Sequence, residues 1–241
     1  MICTIENGDL LRNIVETLKE LSQEANFDFT SEGLHIQVMD SAHVSLCSLV
    51  MRTMLFKQYT CSEPISLGVH LKILSMALAG VKGEVTLKSV QDKLEVTVKK
   101  MDGTAVYTIH LMDIDCENLE LPTMSSPAVC VLPSKTFAQV VRDLSNFSDT
   151  CSLEITDHLH VKVVSNTGQV AWKSETDVKC HVTEAVPPLQ LALRYLCLFS
   201  KGSTVSPKMI ISMLVDSPVC FTYPIGDAGH MRFYLAPKMD D

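Results

Sequence analysis

GLHIQVMD, residues 33–40, and HLHVKVVS, residues 158–165, are one alternating strand written twice. Setting Leu34 over Leu159 places His35 on His160, Ile36 on Val161, Gln37 on Lys162, Val38 on Val163 and Met39 on Val164. Alternation of this kind predicts half-buried β-strands, and an offset of about half the chain predicts an internal duplication. The flanking sequence carries the same offset. Upstream, GDLLRNIVETLKEL sets Leu10, Leu11, Ile14, Val15, Leu18 and Leu21 at helical spacing, and PSKTFAQVVRDLSNF does the same with Phe137, Val140, Val141 and Leu144. Downstream, GVHLKILSMALAG (68–80) and LQLALRYLCLFSKG (189–202) align Leu71 with Leu193, Lys72 with Arg194 and Leu74 with Leu196, and read as second helices. Alternating strands follow each, over 85–100 and 105–112 in the first half and over 208–216, 219–225 and 230–237 in the second. The class is therefore α+β, with two similar domains over 1–112 and 129–241. The segment between them, DIDCENLELPTMSSPA (113–128), has two prolines, four acidic residues and no period, and reads as an exposed connector.

Composition excludes several functions. With 241 residues, 46% of them hydrophobic, and a mean hydropathy of +0.20, the chain can bury a large core. Nine cysteines (Cys3, Cys47, Cys61, Cys116, Cys130, Cys151, Cys180, Cys197 and Cys220) are odd in number, have no C-x-x-C pair and lie mostly among apolar neighbours. They are expected to be reduced thiols serving as small core residues. The start, MICTIENGDLL, lacks a basic region before an apolar stretch, and the longest nearly apolar run, LQLALRYLCLF (189–199), is too short to span a bilayer and carries Arg194. Neither secretion nor membrane insertion is expected. No phosphate-binding, dinucleotide-binding, zinc-protease or nucleophile-elbow motif occurs. His43, and Asp113 with Asp115 in MDID, belong to no set with metal-ligand spacing, so no catalytic residue, metal or cofactor is expected.

Charge placement is more informative than the net charge of −8, which taken alone argues against a polyanionic partner. The helical segments 8–21, 68–83, 133–146 and 189–202 hold Arg12, Lys19, Lys72, Lys82, Lys135, Arg142, Arg194 and Lys201 against Asp9, Glu16, Glu20 and Asp143, eight bases to four acids. Arg12 and Lys19, seven residues apart, fall within about 20° of each other on a helical wheel. Arg142 falls opposite the Phe137/Leu144 face of its helix. Basic helices on an acidic body predict a shared polyanion as ligand.

Five further stretches carry a family resemblance over almost the whole chain: MDSAHVSL (39–46), LMDID (111–115), RDLS (142–145), ALRYL (192–196) and GHMRFYLAPK (229–238). In order and spacing they resemble the eukaryotic DNA sliding clamp family, proliferating cell nuclear antigen. The resemblance implies a DNA-clamp fold with sheets outside and helices inside. It also implies closure of three chains into a pseudo-sixfold homotrimeric ring around duplex DNA, in the nucleus. Duplication then has a reason, because a ring around a cylinder needs one unit repeated at regular angles.

The resemblance maps DNA-facing positions onto Arg12, Lys19, Arg142, Arg194 and Lys201, and Lys72 is basic at the same helix level without being a usual family position. Asn13, Met76, Ala79 and Gln139 stand where relatives are usually basic, which predicts a looser grip. No cluster suited to reading base edges accompanies these charges, so contact is expected to be with phosphates, independent of sequence. The resemblance implies an apolar pocket of Met39, His43, Val44, Leu46, Leu119, Leu121, Pro218, Tyr234, Ala236 and Pro237. Its expected occupant is a short motif with a glutamine, an aliphatic residue and two aromatics, carried by DNA polymerase, flap nuclease, ligase and clamp loader. It further implies a subunit interface in which 104–112, with Tyr107, meets 169–176, with Trp172. The family's regulatory lysine of the second half has no counterpart, since Thr156 and Asp157 stand there. The alternative is a subunit of a heterotrimeric checkpoint clamp of the same fold. The near-complete GHMRFYLAPK and MDSAHVSL favour the replicative clamp.

Overall fold

A computed structural model describes residues 1–115, 119, 126–165, 168–175 and 177–238. In the first half these form β1 (Ile2–Ile5), α1 (Gly8–Leu18), β2 (Glu24–Thr30), β3 (Gly33–Met39), β4 (Ser45–Arg52), β5 (Gln58–Thr60), β6 (Ile65–His70), α2 (Leu71–Leu78), β7 (Val85–Val90), β8 (Lys93–Lys100) and β9 (Gly103–His110). The second half runs β10 (Ala128–Pro133), α3 (Ser134–Leu144), β11 (Thr150–Ile155), β12 (Leu159–Ser165), β13 (Gly168–Lys173), β14 (Lys179–Val182), β15 (Leu189–Ala192), α4 (Leu193–Phe199), β16 (Lys208–Met213), β17 (Val219–Ile225) and β18 (Gly229–Leu235). Two compact units result. One comprises Met1–Ser41, Cys47–Leu119 and Ile225–Met231, the other Ala42–Leu46, Glu120–Pro224 and Arg232–Asp241.

The duplication holds strand for strand. β5, β1, β7, β8 and β9 lie side by side in that order, and β14, β10, β16, β17 and β18 repeat it. The order β4, β3, β2, β6 likewise recurs as β13, β12, β11, β15. Register follows too. On the antiparallel β2–β3 ladder Phe29 faces Leu34, Asp28 faces His35 and Phe27 faces Ile36. On β11–β12, Ile155 faces Leu159, Glu154 faces His160 and Leu153 faces Val161. The two copies quoted from the sequence therefore pair in the same register, each histidine opposite a carboxylate.

Each unit packs its helices on its sheets through one apolar stripe. α1 buries Leu11, Ile14, Val15 and Leu18, and α3 buries Phe137, Val140, Val141 and Leu144, all at i, i+3, i+4, i+7 spacing. Full burial of each such side chain is worth about 1.5–3 kcal/mol. The Asn7 side chain caps α1 by accepting the Leu10 N–H at 3.2 Å. Beneath α3 and α4 the second unit's core is aromatic, with Phe199 stacked on Phe233 at 4.6 Å and Phe221 within 5.7 Å of Phe137.

The stretches 68–80 and 189–202 are not helical throughout, contrary to their apolar spacing. Residues up to His70 complete β6, with Ala25 opposite Val69 and Asn26 opposite Gly68, and residues up to Ala192 complete β15, with Thr150 opposite Ala192. Ladder partners have already taken those backbone groups, so each helix starts only where its ladder ends. The start is the same in both copies: Leu71 N–H donates to Gln23 O and Leu193 N–H to Asp149 O, each at 2.9 Å. α4 stops at Phe199 and passes into a 3₁₀ turn over Ser200–Thr204, while Lys82 lies in the α2–β7 connection.

Candidate functional site

The exposed sides of the helices hold the basic residues, but the two units hold them differently. On α1, Arg12 Nη2 sits 2.8 Å from Asp9 Oδ1, and Lys19, the helix's C-cap, places Nζ 2.5 Å from Glu16 Oε2. Lys19 also donates to Ser75 Oγ of α2 at 3.1 Å, and the Ser75 hydroxyl donates to Glu16 Oε1. Burial works to raise the Glu16 carboxyl, yet hydrogen bonds from Lys19 and Ser75 and the charges of Lys19 and Arg12 outweigh it and hold the group below its ordinary value. Glu16 therefore stays charged beside Lys19. Lys72 is exposed in the first turn of α2, where its exposed neighbours are apolar: Ile73 at 48% and Met76 at 66%.

On α3, Lys135, Gln139 and Arg142 form one exposed stripe at i, i+4, i+7. Gln139 Nε2 donates to Asp143 Oδ1 at 2.8 Å, and among the described residues no carboxylate forms an ion pair with Lys135 or Arg142. Arg194 is steadied by a ring rather than an acid: its guanidinium lies 4.7 Å from the Tyr195 ring centre and Nη2 donates to the Tyr195 hydroxyl at 3.1 Å. Lys201 is exposed in the turn after α4. Sequence reasoning counted Lys135 among the helical bases without setting it in the DNA-facing group. It counted Asp9 and Glu16 against the helical bases without pairing them with Arg12 and Lys19, although their i, i+3 spacing was open to reading.

Among the strands that end their sheets, β9, laddered only to β8, and β13, laddered only to β12, each leave one side unpaired among the described residues. Tyr107 lies half-buried on β9, opposite Val96, and its hydroxyl accepts from Lys100 Nζ at 2.7 Å. Trp172 lies half-buried on β13, opposite Val161. Exposed Val106 on β9, at 62%, and the absence of proline from either strand leave both edges competent to pair.

The LMDID motif is a strap on the first unit. Met112 N–H donates to Gly68 O at 2.9 Å, and Asn26 Nδ2 donates to Ile114 O at 3.1 Å, while Asp113 and Asp115 point no further than solvent exposure. Gly68 is required by this approach, because a Cβ there would stand 2.0 Å from Met112 O. Farther along, the Gln37 side chain holds the backbone of Leu119, whose side chain is 44% exposed. Sequence reasoning did not single out Gln37; a glutamine at 7% exposure on a strand marks a buried polar group that needs partners.

The remaining residues of the expected apolar pocket divide by burial. In the second unit Ala236 N–H donates to Val44 O at 3.0 Å; His43, Pro218 and Ala236 are exposed, and Val44 and Pro237 are half-buried. Leu46 and Tyr234 are core residues at 9% and 6% exposure, and burial pushes the Tyr234 phenol up. His43 has a left-handed backbone, φ +58°, in the turn that precedes β4. β18 ends at Leu235, and Pro237 has no N–H to extend the pairing beyond Ala236. In the first unit Met39 is half-buried and lines, with Lys19, Glu20 and Ser41, a hollow of about 580 Å³. Leu121 lies outside the described residues.

Among the described residues no group of three His, Cys, Asp or Glu side chains could hold a metal ion, and no helix is long and apolar enough to cross a membrane. The described cysteines are free thiols, and burial pushes those of Cys3 and Cys151 up to about 12, so they pack rather than react. Two family models match the chain, one for each half: proliferating cell nuclear antigen, N-terminal domain, over residues 1–119, and proliferating cell nuclear antigen, C-terminal domain, over residues 120–238.

Proposed function

The chain belongs to the proliferating cell nuclear antigen family of DNA sliding clamps, and from that premise we propose that it acts in the nucleus as a homotrimeric ring around duplex DNA. The single observation that carries the ring is that β9 and β13, two of the strands at sheet ends, keep an open edge. β9 and β13 each present an unpaired side, and one chain offers both, so identical copies can join head to tail until the ring closes. Tyr107 and Trp172 fall on these strands, which supports their place in the joint. The basic helical faces supply phosphate contact without base reading, which suits sliding.

Polymerases, flap nucleases, ligases and the clamp loader dock through a short apolar motif on the surface formed by His43, Val44, Pro218, Ala236 and Pro237. The Ala236–Val44 hydrogen bond supports this reading, since it ties the last strand to the MDSAHVSL turn. The protein is a scaffold, and the chemistry belongs to its partners. Retention on DNA tests the function. Loaded by an ATP-driven loader, the protein is expected to stay on nicked circles and to leave when they are linearised; equal retention on both forms rejects a sliding clamp. The mass of the purified chain separates the replicative clamp, a homotrimer, from a checkpoint-clamp subunit, a monomer.

A further inference from the structure

Resting on the reading of a DNA-encircling clamp, we propose that the two units share the duplex unequally: the second unit's Lys135, Arg142 and Arg194 carry the phosphate contact, and the first unit's helices are nearly neutral towards it. Along the first unit's helices and the turns that follow them, over 8–21 and 68–83, Arg12, Lys19, Lys72 and Lys82 meet Asp9, Glu16 and Glu20, which leaves a net charge of only +1. The balance is local. Arg12 and Lys19 each have a carboxylate within 2.8 Å, inside the reach at which an approaching phosphate would have to compete. The Ser75 hydroxyl fixes Glu16 in that position from the neighbouring helix. On the helices themselves Lys72 stands apart, beside exposed Ile73 and Met76, which offer a phosphate nothing.

In the second unit four bases, Lys135, Arg142, Arg194 and Lys201, face one acid, Asp143, and that acid is engaged by Gln139. Lys135 and Arg142 lie two turns apart on one stripe, about 10 Å along the axis. Arg194 is held by a π-face and a hydroxyl, which orient the guanidinium and leave its full charge available. Lys135 thus restores, one turn earlier, the charge that Gln139 does not supply. The duplication kept the fold of both units and divided the electrostatic work between them.

Each phosphate neutralised by a base contributes about eightfold in affinity at about 0.1 M salt through counterion release. Anisotropy of a short labelled duplex at low salt, on the intact assembly, reads the division. Combined Lys135→Ala, Arg142→Ala and Arg194→Ala is expected to cost at least about tenfold more affinity than combined Arg12→Ala, Lys19→Ala and Lys72→Ala. A gain arm guards against mere misfolding. Asp9→Asn with Glu16→Gln, which frees Arg12 and Lys19 while keeping their hydrogen-bond partners, is expected to raise affinity by about eightfold or more. Equal losses from the two triple variants, or no gain from the double variant, overturn the unequal division while leaving the clamp reading in place. A wild-type protein that neither binds the duplex nor stays on loaded circles overturns both.

Discussion

Gln37 grips the backbone of Leu119 with both ends of its amide: Nε2 donates to Leu119 O at 3.0 Å, and Leu119 N–H donates to Oε1 at 2.7 Å. The grip is the last of three along the strap that follows β9. Met112 pairs with Gly68 on β6, Ile114 O accepts from Asn26 on β2, and Leu119 is held from β3, so the three contacts fall on neighbouring strands in their order across the sheet. Gly68 and Asn26 lie directly opposite each other on their ladder.

The strap predicts a local rather than global weakness. Gln37→Ala removes two hydrogen bonds, each worth about 1 kcal/mol net, and leaves the ladders of β2 and β3 intact. The expected result is rapid hydrogen exchange at the Leu119 amide, with exchange at Ile36 and Phe27 unchanged. Continued protection of Leu119 would show that something other than Gln37 holds it.

The proposed assembly can be tested at β9. Tyr107→Ala removes the half-buried ring from an open edge and leaves Lys100 without its phenol partner. Light scattering at low micromolar concentration is expected to give monomers for the variant and trimers for the wild type. A variant that stays trimeric moves the interface away from this edge.

The duplication was legible in the residues, because His35 over His160 aligned two strands that pair alike, one with β2 and the other with β11; the strand order and β2 and β11 themselves were not read from the sequence. The starts of α2 and α4 were not legible. Gly68, Val69 and Leu191 suit a helix or a strand by hydropathy, and only the ladders to β2 and β11 decide. Positions of the basic residues followed from helical spacing, but their availability did not. Lys19 is tied to Ser75 across 56 residues of sequence, a contact that no local pattern announces. Tyr234 resembled a pocket residue by type, and its 6% exposure comes from packing that periodicity on β18 could not grade.

Glu84 is expected to make part of the stability acid-sensitive. It accepts from Lys57 Nζ at 2.7 Å and from Lys99 Nζ at 2.6 Å, and those hydrogen bonds hold its carboxyl at about 2, against 4.5 ordinarily. A depressed folded-state value means that the stabilisation is complete above 4.5 and disappears as pH falls towards 2. Glu84→Gln is therefore expected to lower the melting temperature at neutral pH and to match the wild type near pH 2. A constant difference across that window would assign the effect to packing instead.

Peptide docking can be separated from core damage by choosing residues according to burial. Tyr234 is core, so Tyr234→Ala leaves a cavity costing about 3 kcal/mol or more in stability, and any loss of peptide binding in that variant confounds two causes. Ala236, exposed, and Val44, half-buried, are different, lying outside the core and joined by one backbone hydrogen bond that substitution of their side chains retains. A carboxylate placed there would be desolvated by an arriving aromatic plug, at a cost large enough to abolish a hot-spot contact worth about 2 kcal/mol. Ala236→Asp is therefore expected to weaken a peptide bearing glutamine, an aliphatic residue and two aromatics by at least about 30-fold in calorimetry, with an unchanged melting temperature. Val44→Asp is expected to weaken the peptide by a similar factor. Tyr234→Ala should lower both affinity and melting temperature. Wild-type affinity in both aspartate variants would place the docking site away from the last strand and the turn it binds.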